Sequence, residues 1–355
     1  MTEWEIPLGS KREQAFPGPL SGRVERHRFP SQALRGNPLG DPTERDLPVY
    51  LPPSGDTRGK PLLLLLSGYT GFGAAHFLPP LFLREPLGTR LDRLMRSGAM
   101  AEAVVVAPDC LTSLGGSQYL NSTATGPYED YVMREILPWV QSRYGTGPTA
   151  AVGTSSGGYG SVVLGLRWPD VIQAVGSDAG DMCFEYCYLP DFPIAARAIR
   201  AAGGPQALLT DVFSHYLTEF GPRNPKLIAL ETMAYASAYS PDPDHPGRFD
   251  LPFDWNTGRL LPEVWSRWLA WDPVRMIEEA AYAEALRRAR VWSLVAGVKD
   301  EYALDIGARV FVERAGQLGA RAEFEEFDGG HADGKMLYDR FVPRVMESMG
   351  FPAHR

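Results

Sequence analysis

Continuous apolar runs alternate along the chain with amphipathic segments of helical length. The runs at 61–68 and 101–108 contain LLLLL and VVV and end in turn residues, which is typical of central strands in a parallel sheet covered on both faces. The segments 22–29 and 45–52 alternate apolar and polar residues, as half-buried strands do. Further strands are predicted at 149–153, 171–178, 289–297 and 321–327, and helices around 83–98 and at 126–145, 156–169, 304–317 and 334–348.

Strands followed by helices in this order predict an α/β fold with a mostly parallel central sheet and helices on both faces. The pattern breaks between residues 181 and 280, which are helical and Pro-rich and contain four of the eight tryptophans. We therefore predict one α/β domain formed by 1–180 and 281–355, with 181–280 inserted as a helical cap near the active site. The polar segment 1–19 is predicted to be an arm on the surface.

Composition narrows the class of protein. The chain has 355 residues, 44% of them hydrophobic, and a net charge of −8 with scattered basic residues, so we expect neither a nucleic-acid partner nor a membrane surface. It has no export signal or bilayer-spanning run, and only three cysteines, which predicts a cytoplasmic protein with reduced thiols. We predict no metal site and no organic cofactor; a homo-oligomer is compatible with the sequence.

The stretch GTSSG at 153–157 fits G-x-S-x-G with Ser155 in the middle. A predicted strand ends before Ser155 and a predicted helix follows it, as a nucleophile elbow requires. The flanking glycines suit a serine with a strained backbone. A phosphate-binding loop fits less well, because the turn contains no lysine. A plain surface turn would not predict a histidine and an acidic residue placed after later strands, as described next.

A nucleophilic serine needs a general base and a carboxylate that orients the base. His331 lies in the glycine-rich loop after the last predicted strand, and Asp300 follows the strand before it. These give the order Ser, Asp, His, although Glu301 and Asp305 are close enough to compete with Asp300. A rival nucleophile is Asp178, which lies in G-x-D-x-G.

Two further groups complete the predicted site. The N–H groups of Tyr69, in the loop after the LLLLL strand, and of Ser156, after the nucleophile, are expected to form the oxyanion hole. Trp255 and Trp268 belong to the tryptophan group in 181–280. We interpret at least two of these tryptophans as core packing. Alternatively, Trp255 and Trp268 form an aromatic wall that contacts substrate.

The chain resembles the putative-esterase branch of the α/β-hydrolases, which includes S-formylglutathione hydrolase (esterase D), enterochelin esterases and mycolyltransferases. The resemblance covers most of 45–180 and 290–350. Its segments include LLLLLSGYTG, AVGTSSGGYGSVVLGLRWPD, AGVKDEY and GGHADG, and the YEDYVMREILPWV block is the most diagnostic. It implies an α/β-hydrolase fold in which Ser155, Asp300 and His331 are nucleophile, acid and base. The insertion at 181–280 exceeds that of compact formylglutathione hydrolases, and Thr154 stands where many relatives have His or Leu.

The predicted function is hydrolysis of a small-molecule carboxylic ester through an acyl-enzyme on Ser155. An acyltransferase would use the same acyl-enzyme and differ only in whether water or another alcohol accepts the acyl group. A non-catalytic binding module on a hydrolase scaffold is a third hypothesis, against which the intact Ser, Asp and His argue.

Overall fold

An eight-stranded sheet forms the centre of the molecule. The computed structural model describes residues 19–78, 85–214 and 223–353, so the predicted arm lies almost wholly outside the described residues, as does the beginning of the helix predicted around 83–98. The strands are β1 (Arg23–Pro30), β2 (Glu44–Leu51), β3 (Leu62–Leu66), β4 (Val104–Val106), β5 (Asn121–Ser122), β6 (Gly126–Pro127), β7 (Thr149–Thr154), β8 (Ile172–Asp178), β9 (Trp292–Gly297) and β10 (Ala322–Phe327).

The sheet order is β1-β2-β4-β3-β7-β8-β9-β10, and β5 pairs with β6 in a separate ribbon. The first strand pairs antiparallel with β2, and β2 pairs antiparallel with β4. All other neighbours in the large sheet are parallel. The predicted mostly parallel sheet is confirmed. Parallel strands place their carboxyl ends at one edge, where ligand sites of open α/β sheets form.

Twelve α-helical elements are described around the sheet. They are α1 (Leu87–Arg96), α2 (Tyr128–Asp130, Tyr131–Ile136 and Leu137–Tyr144 in succession), α3 (Ser156–Arg167), α4 (Phe184–Cys187), α5 (Phe192–Ala202), α6 (Pro205–Ser214), α7 (Pro225–Tyr239), α8 (Pro262–Leu269), α9 (Pro273–Met276), α10 (Ala280–Arg288), α11 (Leu304–Gln317) and α12 (Tyr338–Ser348). Short 3₁₀ turns occupy Gly73–Phe77, Leu189–Asp191 and Gly334–Leu337. The middle segment of α2 is a π-helix, which ends where Pro138, lacking an N–H, interrupts the hydrogen-bond ladder.

Both faces of β3 are buried, which explains its unbroken run of leucines. Leu62, Leu64 and Leu66 belong to one hydrophobic cluster, and Leu63 and Leu65 to a second cluster. Successive side chains of a strand point to opposite faces of the sheet, so the two clusters lie on the two sides. A strand covered on both faces requires apolar residues at every position rather than at alternate ones.

The segment 181–280 is helical where it is described. Its described residues contribute no strand to the large sheet and form only two isolated bridges, Pro241 with Phe249 and Phe253 with Leu260. Helix α7 is buried along most of its length and packs against α5. The assignment of this segment as a helical cap inserted into the α/β domain stays a prediction.

Two general features complete the description. No described helix has the length and apolar character needed to cross a lipid bilayer. Cys110, Cys183 and Cys187 are buried free thiols.

Candidate active site

Ser155 occupies a sharp turn between β7 and α3. Its φ of 55° and ψ of −127° are rare for a residue with a side chain. The Ser155 N–H donates to the carbonyl of Asp178 on the neighbouring strand at 2.8 Å. A side chain at Gly153 would meet the Gly157 backbone at 2.3 Å, and one at Gly157 would meet the Leu66 carbonyl at 2.3 Å. The two glycines are therefore required by the close approach of strand and helix, as in a nucleophile elbow.

A chain of hydrogen bonds joins the hydroxyl of Ser155 to His331 and Asp300. His331 Nε2 lies 3.1 Å from Ser155 Oγ, and His331 Nδ1 lies 2.9 Å from Asp300 Oδ2. The Asp300 side chain is fully buried, whereas that of His331 is 23% exposed. The three residues come from the ends of β7, β9 and β10, which the parallel sheet brings to one edge. This is the geometry of a nucleophile, its base and the carboxylate that orients the base.

Neighbouring groups fix the positions of Asp300 and His331. The other oxygen of Asp300, Oδ1, accepts the N–H of Tyr302 at 2.8 Å, and the Tyr302 ring packs edge-on against the imidazole with centroids 5.0 Å apart. Glu301 Oε2 accepts the backbone N–H of His331 at 2.9 Å. Glu301 thus holds the loop rather than the imidazole, while Asp305 lies in the first turn of α11.

The pKa of His331 is raised above its ordinary value of 6.5. Burial is the largest influence and lowers the pKa, but the hydrogen bond and the charge of Asp300 raise it by more, with help from the charges of Asp181 and Asp178. The environment thus favours the imidazolium that would form when His331 accepts a proton.

The loop after β3 lies against the elbow. A side chain at Gly68 would come within 3.2 Å of Ser155 Cβ. The backbone N–H of the next residue, Tyr69, therefore lies in the neighbourhood of Ser155. The loop is braced from outside, because the N–H of Thr70 donates to Gly115 at 2.8 Å and the Tyr69 hydroxyl donates to the Leu114 carbonyl at 2.9 Å. Ser156 is the first residue of α3, where backbone N–H groups have no intrahelical acceptor.

The rival nucleophile, Asp178, is buried at the end of β8. A side chain at Gly334 would meet its carboxylate, so the group packs against the segment that follows His331. Both ring nitrogens of His331 are engaged by Asp300 and Ser155, so the base is directed at the serine and not at Asp178.

A narrow cavity of about 20 Å³, with room for one or two water molecules, opens beside Ser155. Its walls combine acidic side chains, tyrosines and the first residue of α11. The lining residues are Ser155, Asp181, Cys187, Tyr188, Asp191, Glu231, Tyr235, Tyr302 and Leu304. Six of them lie within 181–280, so this segment forms most of the wall. Within the described part of the chain, no group of three or more His, Cys, Asp or Glu side chains is arranged to hold a metal ion.

Comparison with known proteins identifies the family. Residues 42–334 match the family described as Putative esterase. The chain belongs to this family. The prediction that the protein is a carboxylic ester hydrolase is confirmed as a reaction class. The arrangement of strands and helices is that of an α/β-hydrolase. A comparison with curated proteins found no match.

Solved structures similar to this esterase have the same fold at low sequence identity. A ferulic acid esterase superposes with a TM-score of 0.57 at 19% identity, covering 94% of this chain and 100% of its own. An S-formylglutathione hydrolase from Agrobacterium tumefaciens gives 0.53 at 16%, covering 94% and 98%. A ferulic acid esterase from Anaeromyces mucronatus, bound to ferulic acid, gives 0.52 at 14%, covering 92% of each chain.

The tryptophans predicted to contact substrate do not line the cavity of the esterase. Trp268 is completely buried, and its Nε1 donates to Ser240 Oγ at 2.8 Å. Its ring packs on Phe192, Tyr188, Tyr239 and Trp265. Trp255 is partly buried and packs against the same core. Of the two interpretations of these tryptophans, the geometry supports core packing.

The residues that line the cavity were not predicted from the sequence. Tyr188, Tyr235 and Tyr302 are the aromatic residues at the site, and Asp181, Asp191 and Glu231 are its acids. The segment FEYCYLPD carried a partial signal, because it combines Cys187, Tyr188 and Asp191 just after a strand end. Glu231 and Tyr235 lie four apart on α7, but nothing in an almost uniformly apolar helix marks which face meets the nucleophile.

Proposed function

We propose that this protein is a serine carboxylic-ester hydrolase that acts through an acyl-enzyme. The observation that carries the proposal is the hydrogen-bond chain from Ser155 Oγ through His331 to Asp300, at a strained elbow beside a cavity. Membership of the putative esterase family supports the same reaction class.

In the first half-reaction, Ser155 Oγ attacks the ester carbonyl carbon while His331 Nε2 takes the hydroxyl proton. Asp300 holds the imidazole in the tautomer with the proton on Nδ1 and stabilises the imidazolium. The N–H groups of Tyr69 and Ser156 hold the oxyanion, each contributing roughly 3 kcal/mol. Collapse breaks the bond to the alcohol, which leaves with the proton from Nε2.

In the second half-reaction, water replaces the alcohol. His331 takes a proton from the water as its oxygen attacks the acyl carbon, and returns it to Ser155 Oγ when the tetrahedral intermediate collapses. The products are the carboxylic acid and the free serine.

A pair of serine variants tests the proposal. We expect Ser155→Ala to lower kcat/KM for p-nitrophenyl acetate by about 10⁴-fold or more, because no other group can supply the attacking oxygen. Ser156→Ala is the matched control and should change it by less than about tenfold, because Ser156 contributes a backbone N–H. Equal losses in the two variants, with folding checked by circular dichroism, would overturn the assignment of the elbow.

A further inference from the structure

The loop that follows β3 belongs to no helix or strand, yet hydrogen bonds fix two consecutive peptide groups in it. The carbonyl of Ser67 accepts the hydroxyl of Tyr119 at 2.7 Å, and the carbonyl of Gly68 accepts the N–H of Gly71 at 2.9 Å. A trans peptide group holds its N–H on the side opposite its carbonyl. Because the Gly68 carbonyl is turned toward Gly71, the N–H of Tyr69 is turned the other way.

The N–H of Tyr69 is one of the two donors that the proposed reaction assigns to the oxyanion hole. Within the described part of the chain, this N–H donates to no protein acceptor. An oxyanion formed at Ser155 would give it one. A donor of this kind stabilises the transition state only when it points at the oxygen that becomes charged. The direction of the Tyr69 N–H is therefore a property on which the rate depends.

Gly68 makes that direction depend on contacts from outside the loop. The two peptide groups meet at Gly68, and glycine has more backbone freedom than a residue with a side chain. If the group that contains the Ser67 carbonyl turned, the group that contains the Tyr69 N–H would be free to turn as well. The hydrogen bond from Tyr119 opposes this rotation. His76 holds the same residue by its side chain, because His76 Nε2 lies 2.9 Å from Ser67 Oγ.

Tyr119 packs directly on the helix that follows the nucleophile. It is buried, and a side chain at Gly160 on α3 would meet its ring at 2.3 Å. Its φ of 57° is rare for a residue with a side chain, and such strain persists only where the surrounding structure holds it. The hydroxyl of Tyr119 thus ties the loop after β3 to α3. The two donors of the oxyanion hole, the N–H groups of Tyr69 and Ser156, are thereby held relative to each other.

We infer that Tyr119 is a positioning residue of the oxyanion hole. Its hydroxyl holds the Ser67 carbonyl and so directs the N–H of Tyr69 at the oxygen that becomes charged when Ser155 attacks the ester. Tyr119 acts through the backbone of the loop and not on the reacting atoms. The inference rests on the proposed esterase function and adds to it a residue that lies outside the triad and outside the two backbone donors.

Tyr119→Phe tests the inference, because it removes the hydroxyl and leaves the ring over Gly160. We expect kcat/KM for p-nitrophenyl acetate to fall about tenfold, which is less than the loss of roughly 10²–10³-fold that follows removal of a donor itself. The second readout is the inhibition constant of trifluoroacetone. Ser155 Oγ adds to its carbonyl carbon while His331 takes the hydroxyl proton, and the ketone oxygen becomes an oxyanion. This constant should rise by about the same factor, tenfold.

Tyr144→Phe is the matched control. The Tyr144 hydroxyl donates to Glu25 Oε2 at 2.7 Å, and the residue is buried. It ends α2 shortly before β7 begins, whereas Ser155 follows the other end of β7. Both variants lose a hydrogen bond and should lower stability, but only Tyr119→Phe should change the inhibition constant. That constant is measured on the active enzyme and does not depend on how much of the protein is folded.

The outcomes separate the two proposals. An inhibition constant that stays at its wild-type value in folded Tyr119→Phe, or that rises equally in Tyr144→Phe, would overturn the role of Tyr119 and leave the esterase function standing. If Tyr119→Phe does not fold, Gly160→Ala decides, because its methyl group would displace the Tyr119 ring and should raise the same constant. No hydrolysis by the wild-type protein, together with no labelling of Ser155 by a fluorophosphonate, would overturn both.

Discussion

His331 is the residue whose protonation state controls the proposed reaction. Its Nε2 must be free of a proton to accept one from Ser155, so the neutral imidazole is the active form. Asp300 and the nearby Asp181 and Asp178 raise the pKa above 6.5, against the opposing effect of burial. The same carboxylate that orients the base therefore also sets the pH below which the base is blocked.

The raised pKa predicts the pH dependence of activity. With a neutral nitrophenyl ester, kcat/KM should fall as the pH decreases through a midpoint above 6.5, because imidazolium replaces imidazole in the free enzyme. Rates measured in buffers of constant ionic strength locate this midpoint. A rate that stays flat down to about pH 5 would contradict a histidine base.

Asp300 and its neighbours make separable contributions. We expect Asp300→Asn to lower kcat by about 10³–10⁴-fold, because an amide no longer holds the imidazole in the correct tautomer. Glu301→Gln should cost less than about tenfold, because the amide oxygen can still accept the His331 N–H. Asp305→Asn should be similarly mild, since this side chain lies in the first turn of α11. Steady-state kinetics of the three purified variants would show whether Asp300 is the acid of the triad. A severe loss in Asp305→Asn alone would identify Asp305 as the acid instead.

At the scale of elements, the ends of β7, β9 and β10 were predictable and the cavity wall was not. The LLLLL run, the strand before GTSSG and the strand before Asp300 carry strong local signals, because buried parallel strands are apolar throughout. The face that α7 presents to Ser155 carries no such signal. This helix is buried nearly all round, so its pattern of apolar residues has no polar side from which an orientation could be deduced.

Trp268 on α8 tests whether the tryptophans pack the core or bind substrate. Trp268→Phe should reduce the free energy of unfolding by about 1–3 kcal/mol, because it shrinks a completely buried side chain and removes the bond to Ser240. Preference among nitrophenyl esters of increasing chain length should stay unchanged. Denaturant unfolding and kcat/KM across the ester series measure both effects. A changed preference at unaltered stability would restore the substrate-binding interpretation.

At the scale of the whole molecule, strand order explains how distant residues meet. Ser155 and His331 are 176 positions apart, yet β7, β8, β9 and β10 are successive neighbours in the sheet. The meeting of Ser155, Asp300 and His331 at one edge could therefore be predicted once the strands were recognised as parallel. The identity of the cavity wall could not, because Asp181, Glu231 and Tyr302 meet only through the packing of 181–280 over the strand ends.

The central claim is that Ser155 is the nucleophile, and covalent labelling tests it most directly. The intact protein is treated with a fluorophosphonate, digested, and the modified residue mapped by peptide mass spectrometry. We predict one adduct, on Ser155, that is absent from the folded Ser155→Ala variant, because the probe reacts with a serine activated by a base. An adduct on Asp178 or Ser156, or no adduct on the folded wild-type protein, would contradict the account.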